Sequence, residues 1–175
     1  MNQRRKQKGF SLIELLIVIA IILIIASMAI PKFIQSQMTA HEASAVGSLR
    51  AINQAEITYQ TSYPGKGFAD TLPNLGSGSG GGANCIPNQN SACLLDSTLS
   101  SGVKSGYNFA AVGGNAVNGV NTTYGAGAAP VTYNRSGIRL FCSVEDQQLR
   151  FDPNLGGSTN PPTAANCTSG SFTPL

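Results

Sequence analysis

Residues 10–30, FSLIELLIVIAIILIIASMAI, form one long apolar run in which Glu14 is the only charge. As a helix, these residues rise about 31 Å, enough to cross the hydrocarbon core of a bilayer. Arg4, Arg5, Lys6 and Lys8 all precede the run, which predicts that this end faces the cytoplasm and the remainder is delivered outward. Those four residues also account for the net charge of +3. Without them, seven basic residues face eight acidic ones, so the rest of the chain is near neutral. A nucleic-acid role loses its electrostatic support on that count.

Pro31 follows the run, and proline either stops or bends a helix. The next proline is Pro64, and the intervening Ala, Gln, Glu, Leu and Met tolerate or favour helix. The pattern predicts one helix over 10–61, kinked near Pro31. In its second half Val46, Leu49, Ile52, Ile57 and Tyr59 share one broad arc. Glu42 and Glu56 fall on the same arc, with heads expected to reach water past the packing, or else to meet another chain.

From Tyr63 the texture changes. PGKGF reads as a turn and GSGSGGGAN at 76–84 as a flexible loop. Strands are expected at Tyr107–Val112, Val131–Tyr133, Ile138–Ser143 and Leu149–Phe151, the last two forming an antiparallel hairpin across VEDQQ. NPPTAANCTSGSFTPL reads as an irregular tail. The expected fold class is α+β: a long N-terminal helix whose C-terminal half packs on a small antiparallel β-sheet head. The expected divisions are 1–9 as a leader, 10–30 as a transmembrane and assembly helix, 31–61 as its amphipathic continuation, and 62–175 as the head.

Four cysteines, Cys85, Cys93, Cys142 and Cys167, lie far beyond the apolar run, as expected of disulfides in an oxidising compartment. Three connectivities are open. Cys85–Cys93 with Cys142–Cys167 is favoured because each bond closes a local loop. Zinc is the competing reading, but the short two-to-four-residue spacing is missing and the single histidine, His41, is remote in sequence.

No catalytic constellation stands out. There is no Gly-x-Ser-x-Gly elbow, and the glycines at 76–82 lack the Lys-Ser/Thr ending of a phosphate loop. His41 reads as a solvated surface residue. Glu145–Asp146 reads as a solvated turn, with a calcium contact as the alternative. No enzyme activity, cofactor or metal is expected.

KGFSLIELLIVIAIILIIASMAIP resembles the N-terminus of type IV pilins and of type II secretion pseudopilins. The residues that carry the likeness are the basic leader ending in Gly9, hydrophobic Phe10, Glu14 four residues on, the apolar helix and Pro31. A looser likeness continues through EASAVGSLRAINQAEITY into a sheet-bearing head. The resemblance implies cleavage between Gly9 and Phe10 by a prepilin peptidase and N-methylation of Phe10. It further implies helix-mediated homopolymerisation of the chain into a filament, with inner-membrane lipid and the pilus assembly machinery as earlier partners. Glu14 and Pro31 take assembly positions. An acid in a membrane helix costs about 2.5–3.5 kcal/mol at its centre and seeks a cation, which the Phe10 amine of a neighbour would supply.

Within this superfamily the pilin branch is favoured. The major pseudopilin of type II secretion has an acidic calcium-binding loop near its C-terminus and lacks a terminal disulfide. Here the 23 residues after Asp152 contain no acid, and Cys167 is available for a disulfide. The hairpin is also similar to that of bacterial pilins, although Gln147–Gln148 stand where a glycine is found in them. The implied path runs from a bacterial inner-membrane precursor to an extracellular surface filament. An ordinary secretory signal cut after Ser27-Met28-Ala29 would instead release a soluble domain, and an uncleaved anchor would tether one. Both leave Glu14 without a role.

Overall fold

The computed structural model describes residues 10–77 and 85–175. The expected leader, with Gly9, lies outside the described residues, as does most of the glycine-rich loop at 76–84. The chain divides into two compact units, Met1–Ser36 and Gln37–Leu175.

Helix α1 spans Leu12–Ser62, and its helical conformation is unbroken across Pro31. It ends two residues before Pro64, where the Tyr63 N–H still reaches the Tyr59 carbonyl at 2.8 Å. In the first unit its side chains are bare. Phe10 is 88% exposed, and every leucine and isoleucine from Leu12 to Ile25 is exposed. This helix is long and apolar enough to cross a membrane.

In the second unit α1 buries Ala45, Leu49, Ile52, Ala55 and Tyr59. These positions recur three or four apart and so line one face. They pack on a six-stranded antiparallel sheet whose strands lie in chain order: β1 Val103–Lys104, β2 Tyr107–Val117, β3 Val120–Pro130, β4 Leu140–Val144, β5 Arg150–Asp152 and β6 Thr173–Pro174. Tyr107, Phe109, Ala111, Tyr124, Ala126, Ala128 and Phe141 supply the sheet's side of the core. Short helices α2 Leu72–Leu75 and α3 Ser97–Ser100 add Leu72, Leu75 and Leu99. Asp96 caps α3 by accepting the Leu99 N–H.

β3 was not expected, and it is the sheet's central long strand. Its VNTTYGAGAAP sequence is poor in β-branched residues past Thr123, so propensity conceals it. Tertiary contacts explain the composition, because β3 is covered on both faces. Tyr124, Ala126 and Ala128 join the core with α1, while Gly125 and Gly127 lie under the C-terminal segment. A methyl group on Gly127 would stand 2.2 Å from the Pro162 carbonyl oxygen, and one on Gly125 would stand 2.6 Å from Ala164 Cβ. The β2–β3 turn is Asn118–Gly119, with φ of 52° and 81°, the left-handed pair that a tight hairpin needs. That dipeptide was the legible signal.

Two other strand expectations change. Val131–Tyr133 is not a strand: it enters a turn in which Arg135 and Ser136 donate to the Thr132 carbonyl, and Tyr133 makes only an isolated bridge to Gly137. Apolar content there has no strand to pair with, and Val131 and Tyr133 remain exposed. The strand expected from Ile138 begins at Leu140, because the N–H groups of Ile138 and Arg139 are taken by the Glu42 carboxylate. The expected hairpin with β5 is present, its Gln147 at φ 58° in the conformation that glycine favours.

The tail is less irregular than expected. Thr163 and Asn166 form a capping box on α4, Ala164–Cys167, and β6 pairs with β5. Cys142 on β4 bonds to Cys167, which fastens α4 to the outer face of the sheet beside Val144 and Phe172. Cys85 bonds to Cys93 and closes a separate loop.

Candidate functional site: the N-terminal helix and the acids of its helical partner face

Ser11-Leu12-Ile13-Glu14 opens α1 with the Ser-x-x-Glu pattern of a capping box. The Glu14 Oε2 accepts the Ser11 backbone N–H at 2.9 Å. That contact satisfies one of the donors left open at a helix start and sets a negative charge at the positive end of the helix dipole. Glu14 stands out in the sequence by its isolation, whereas its Ser11 partner is marked there only by the capping spacing. Phe10 precedes this cap, one helical turn from Glu14, with its ring exposed. Pro31 lies within α1 and is exposed; lacking an N–H, it cannot donate to the carbonyl of Ser27.

The first unit therefore presents an acid at the head of an uncovered apolar helix. Its surface is chemically suited to hydrocarbon, either of lipid or of further helices of the same kind.

The two acids farther along α1 do something different from what was expected. Both are buried, Glu56 completely, and both are bound within their own head. Glu42 accepts the Ile138 and Arg139 N–H groups through Oε1 at 3.0 and 3.1 Å, and its Oε2 pairs with Arg139 Nη2 at 2.7 Å and Nε at 2.8 Å. Arg139 in turn lies over the rings of Phe141 and Phe151, 5.4 and 5.6 Å from their centroids. Glu56 is fully buried and accepts the Ala69 N–H at 2.9 Å. Burial pushes its carboxyl up to about 7, partly offset by that hydrogen bond. The physical reason is shared: backbone N–H groups outside helix and sheet need acceptors, and a glutamate on the buried helix face supplies one.

His41 is also more engaged than a solvated residue would be. Its Nδ1 lies 3.0 Å from the Ser136 carbonyl and donates to it, beside the close-packed Gly106. Asp146 pairs with Arg150 and accepts the Gln148 N–H, and these bonds hold its carboxyl below the usual range. Its neighbour Glu145 is exposed. Among the described residues, no group of three or more His, Cys, Asp or Glu is placed to hold a metal ion.

Comparison with known proteins bears on the first unit most directly. Residues 4–30 match the family described as "Prokaryotic N-terminal methylation motif". The chain is similar to the type IV major pilin protein PilA of Myxococcus xanthus (strain DK1622), with 43% identity over 54 residues. The aligned stretch is 31% of this chain and 24% of that relative. No solved structure matches. The chain thus carries an N-terminal methylation motif of the type IV pilin and pseudopilin kind, on a long helix joined to a pilin-like α+β head. Motif and relative together support a pilin or pseudopilin.

Proposed function

We propose that this chain is a structural, non-catalytic subunit of a type IV pilus. A prepilin peptidase removes residues 1–9, cutting between Gly9 and Phe10, and the new Phe10 amine is methylated. The mature subunit waits in the bacterial inner membrane through residues 10–30, then leaves lipid and joins a helical homopolymer at the cell surface. Residues 31–61 continue the helix into the head at 62–175, which faces outward.

The observation that carries this reading is the placement of Glu14 one turn from Phe10, at the start of an exposed apolar segment inside the matched motif. Cleavage would create a cation where the apolar segment has only an acid. In a growing filament the Phe10 amine of one subunit and Glu14 of its neighbour set axial register, while the apolar faces supply most of the adhesion. Adhesion, motility and DNA uptake are the roles such a filament serves.

A secretion pseudopilin, forming a short periplasmic filament for protein export, is the second reading. The acid-free tail after Asp152 and its anchorage through Cys142–Cys167 favour the pilus. Mass spectrometry of the mature N-terminus tests the superfamily. Methyl-phenylalanine at Phe10 is expected, and a chain starting at Ile30 overturns the reading. Electron microscopy of sheared surface fractions tests the branch, long external fibres containing this chain being the expected result.

A further inference from the structure

Glu56 is 0% exposed, and one of its oxygens, Oε1, has no hydrogen-bond partner. The other is the acceptor for Ala69, in the segment that follows α1. That segment has its own ties to β3: Phe68 donates to the Asn121 carbonyl, Asn121 donates to the Lys66 carbonyl, and the Asn121 amide reaches both Phe68 O and Asp70 Oδ1. Glu56 is its side-chain tie to the helix. Tyr59 from α1 and Tyr124 from β3 lie within electrostatic reach of Glu56, and Tyr63 and Asp70 act in turn on Tyr59. Lys66 is the nearby cation of the segment, exposed in part and 3.9 Å from Asp70. Glu145 and Asp146 add negative charge near Tyr124. The tyrosines are neutral in this range and do not compensate a carboxylate, so what ionised Glu56 would meet is chiefly dry surroundings.

We propose that Glu56 is a proton-operated clasp: when neutral it seats the Lys66–Leu75 segment on α1, and when ionised it loosens that segment so that water reaches Oε1. The cost of an unpaired charge in a dry site is large, and a local opening relieves it at less expense than global unfolding. The inference is independent of how the chain assembles. The sign follows from burial, which favours the neutral form in the folded state. The stabilisation is complete below the ordinary glutamate range near 4.5 and is lost as pH rises to about 7.

Amide hydrogen exchange of Phe68–Leu75 in the full chain in detergent, corrected for intrinsic rates, tests the clasp between pH 4.5 and 8.5. Opening is expected to rise on the order of 100-fold across that range in the native chain. Glu56→Gln retains an acceptor for Ala69 without a charge, and its exchange is expected to stay flat. Parallel behaviour of the two proteins, or no change in either, overturns the proposal. Should the variant fail to fold, carboxyl-labelled glutamate NMR of the native chain decides: a Glu56 midpoint close to 7 supports the clasp, and one in the ordinary range near 4.5 overturns it.

Discussion

Glu14 Oε2 accepts the Ser11 backbone N–H at 2.9 Å, so the single acid of the apolar run turns back onto the start of its own helix. The acid therefore has two possible tasks: capping α1 within one chain and pairing with a neighbour's amine in a filament. Glutamine separates them, since its carbonyl can still accept the Ser11 N–H but carries no charge. Glu14→Gln is expected to keep the helix by circular dichroism in detergent and to leave cleavage after Gly9 intact. Filament yield is expected to fall at least about tenfold, the effect of ~1.4 kcal/mol lost at each added subunit. Glu14→Ala should also fray the first turn. Normal filaments from the glutamine variant would remove the ion pair from the assembly mechanism.

The Glu42–Arg139 pair fixes the approach of β4 to α1 and is expected to dominate the stability of that junction. Glu42→Ala leaves two backbone N–H groups and a guanidinium without their acceptor, at a cost of about 3 kcal/mol. Arg139→Ala leaves Glu42 with both N–H donors, and the arginine is partly exposed, so about 1–2 kcal/mol is expected. Chemical denaturation of the two single variants and the double variant checks the order. Equal losses in both singles would show that the backbone contacts contribute little.

The long helix, the sheet-bearing head and the β4–β5 hairpin were legible because each has a local signal: an unbroken apolar run, a proline-free stretch, a pair of short apolar segments around a polar turn. β3 was not, since its glycines and alanines answer to Pro162 and Ala164, which lie more than 30 residues away in sequence. Glu42 and Glu56 fell on the right arc and received the wrong environment. Helical periodicity reports which face a residue occupies, but it cannot report that a loop's unpaired N–H will meet the carboxylate there. Of the candidate site, Phe10 and Glu14 stood out in sequence, while the Ser11 cap needed the capping pattern to be applied where hydropathy had already claimed the segment.

Two glycine substitutions should move stability in opposite directions. Gly127→Ala sets a methyl group against the Pro162 carbonyl oxygen, a backbone atom that can yield only if the tail shifts, so a loss of about 1–3 kcal/mol is expected. Gly47 lies in the interior of α1, and a methyl group there meets nothing within 4 Å. Gly47→Ala should therefore stabilise by about 0.5–1 kcal/mol through helix propensity and a less flexible unfolded chain. Thermal melts of the full chain in detergent measure both. A neutral Gly127→Ala would mean that the C-terminal segment is not seated on β3 as described.

The two disulfides should differ in worth and in accessibility. Cys142–Cys167 spans 25 residues and Cys85–Cys93 spans 8, so chain entropy assigns about 3.5 kcal/mol to the first and about 2.5 kcal/mol to the second. Location widens the gap. Both sulfurs of the longer loop are buried and hold α4 over Gly125 and Gly127, whereas Cys85 and Cys93 are part-exposed at the edge of the head. A graded reductant series with alkylation and peptide mapping is expected to open Cys85–Cys93 first, with the smaller fall in melting temperature, roughly 5–10 °C by the usual scaling. Replacing Cys142 and Cys167 together by serine should lower that temperature by roughly 7–14 °C, by the usual scaling for a chain of this size. The reverse order of reduction would place the buried staple elsewhere, and a mapped Cys85–Cys142 peptide would exclude the connectivity itself.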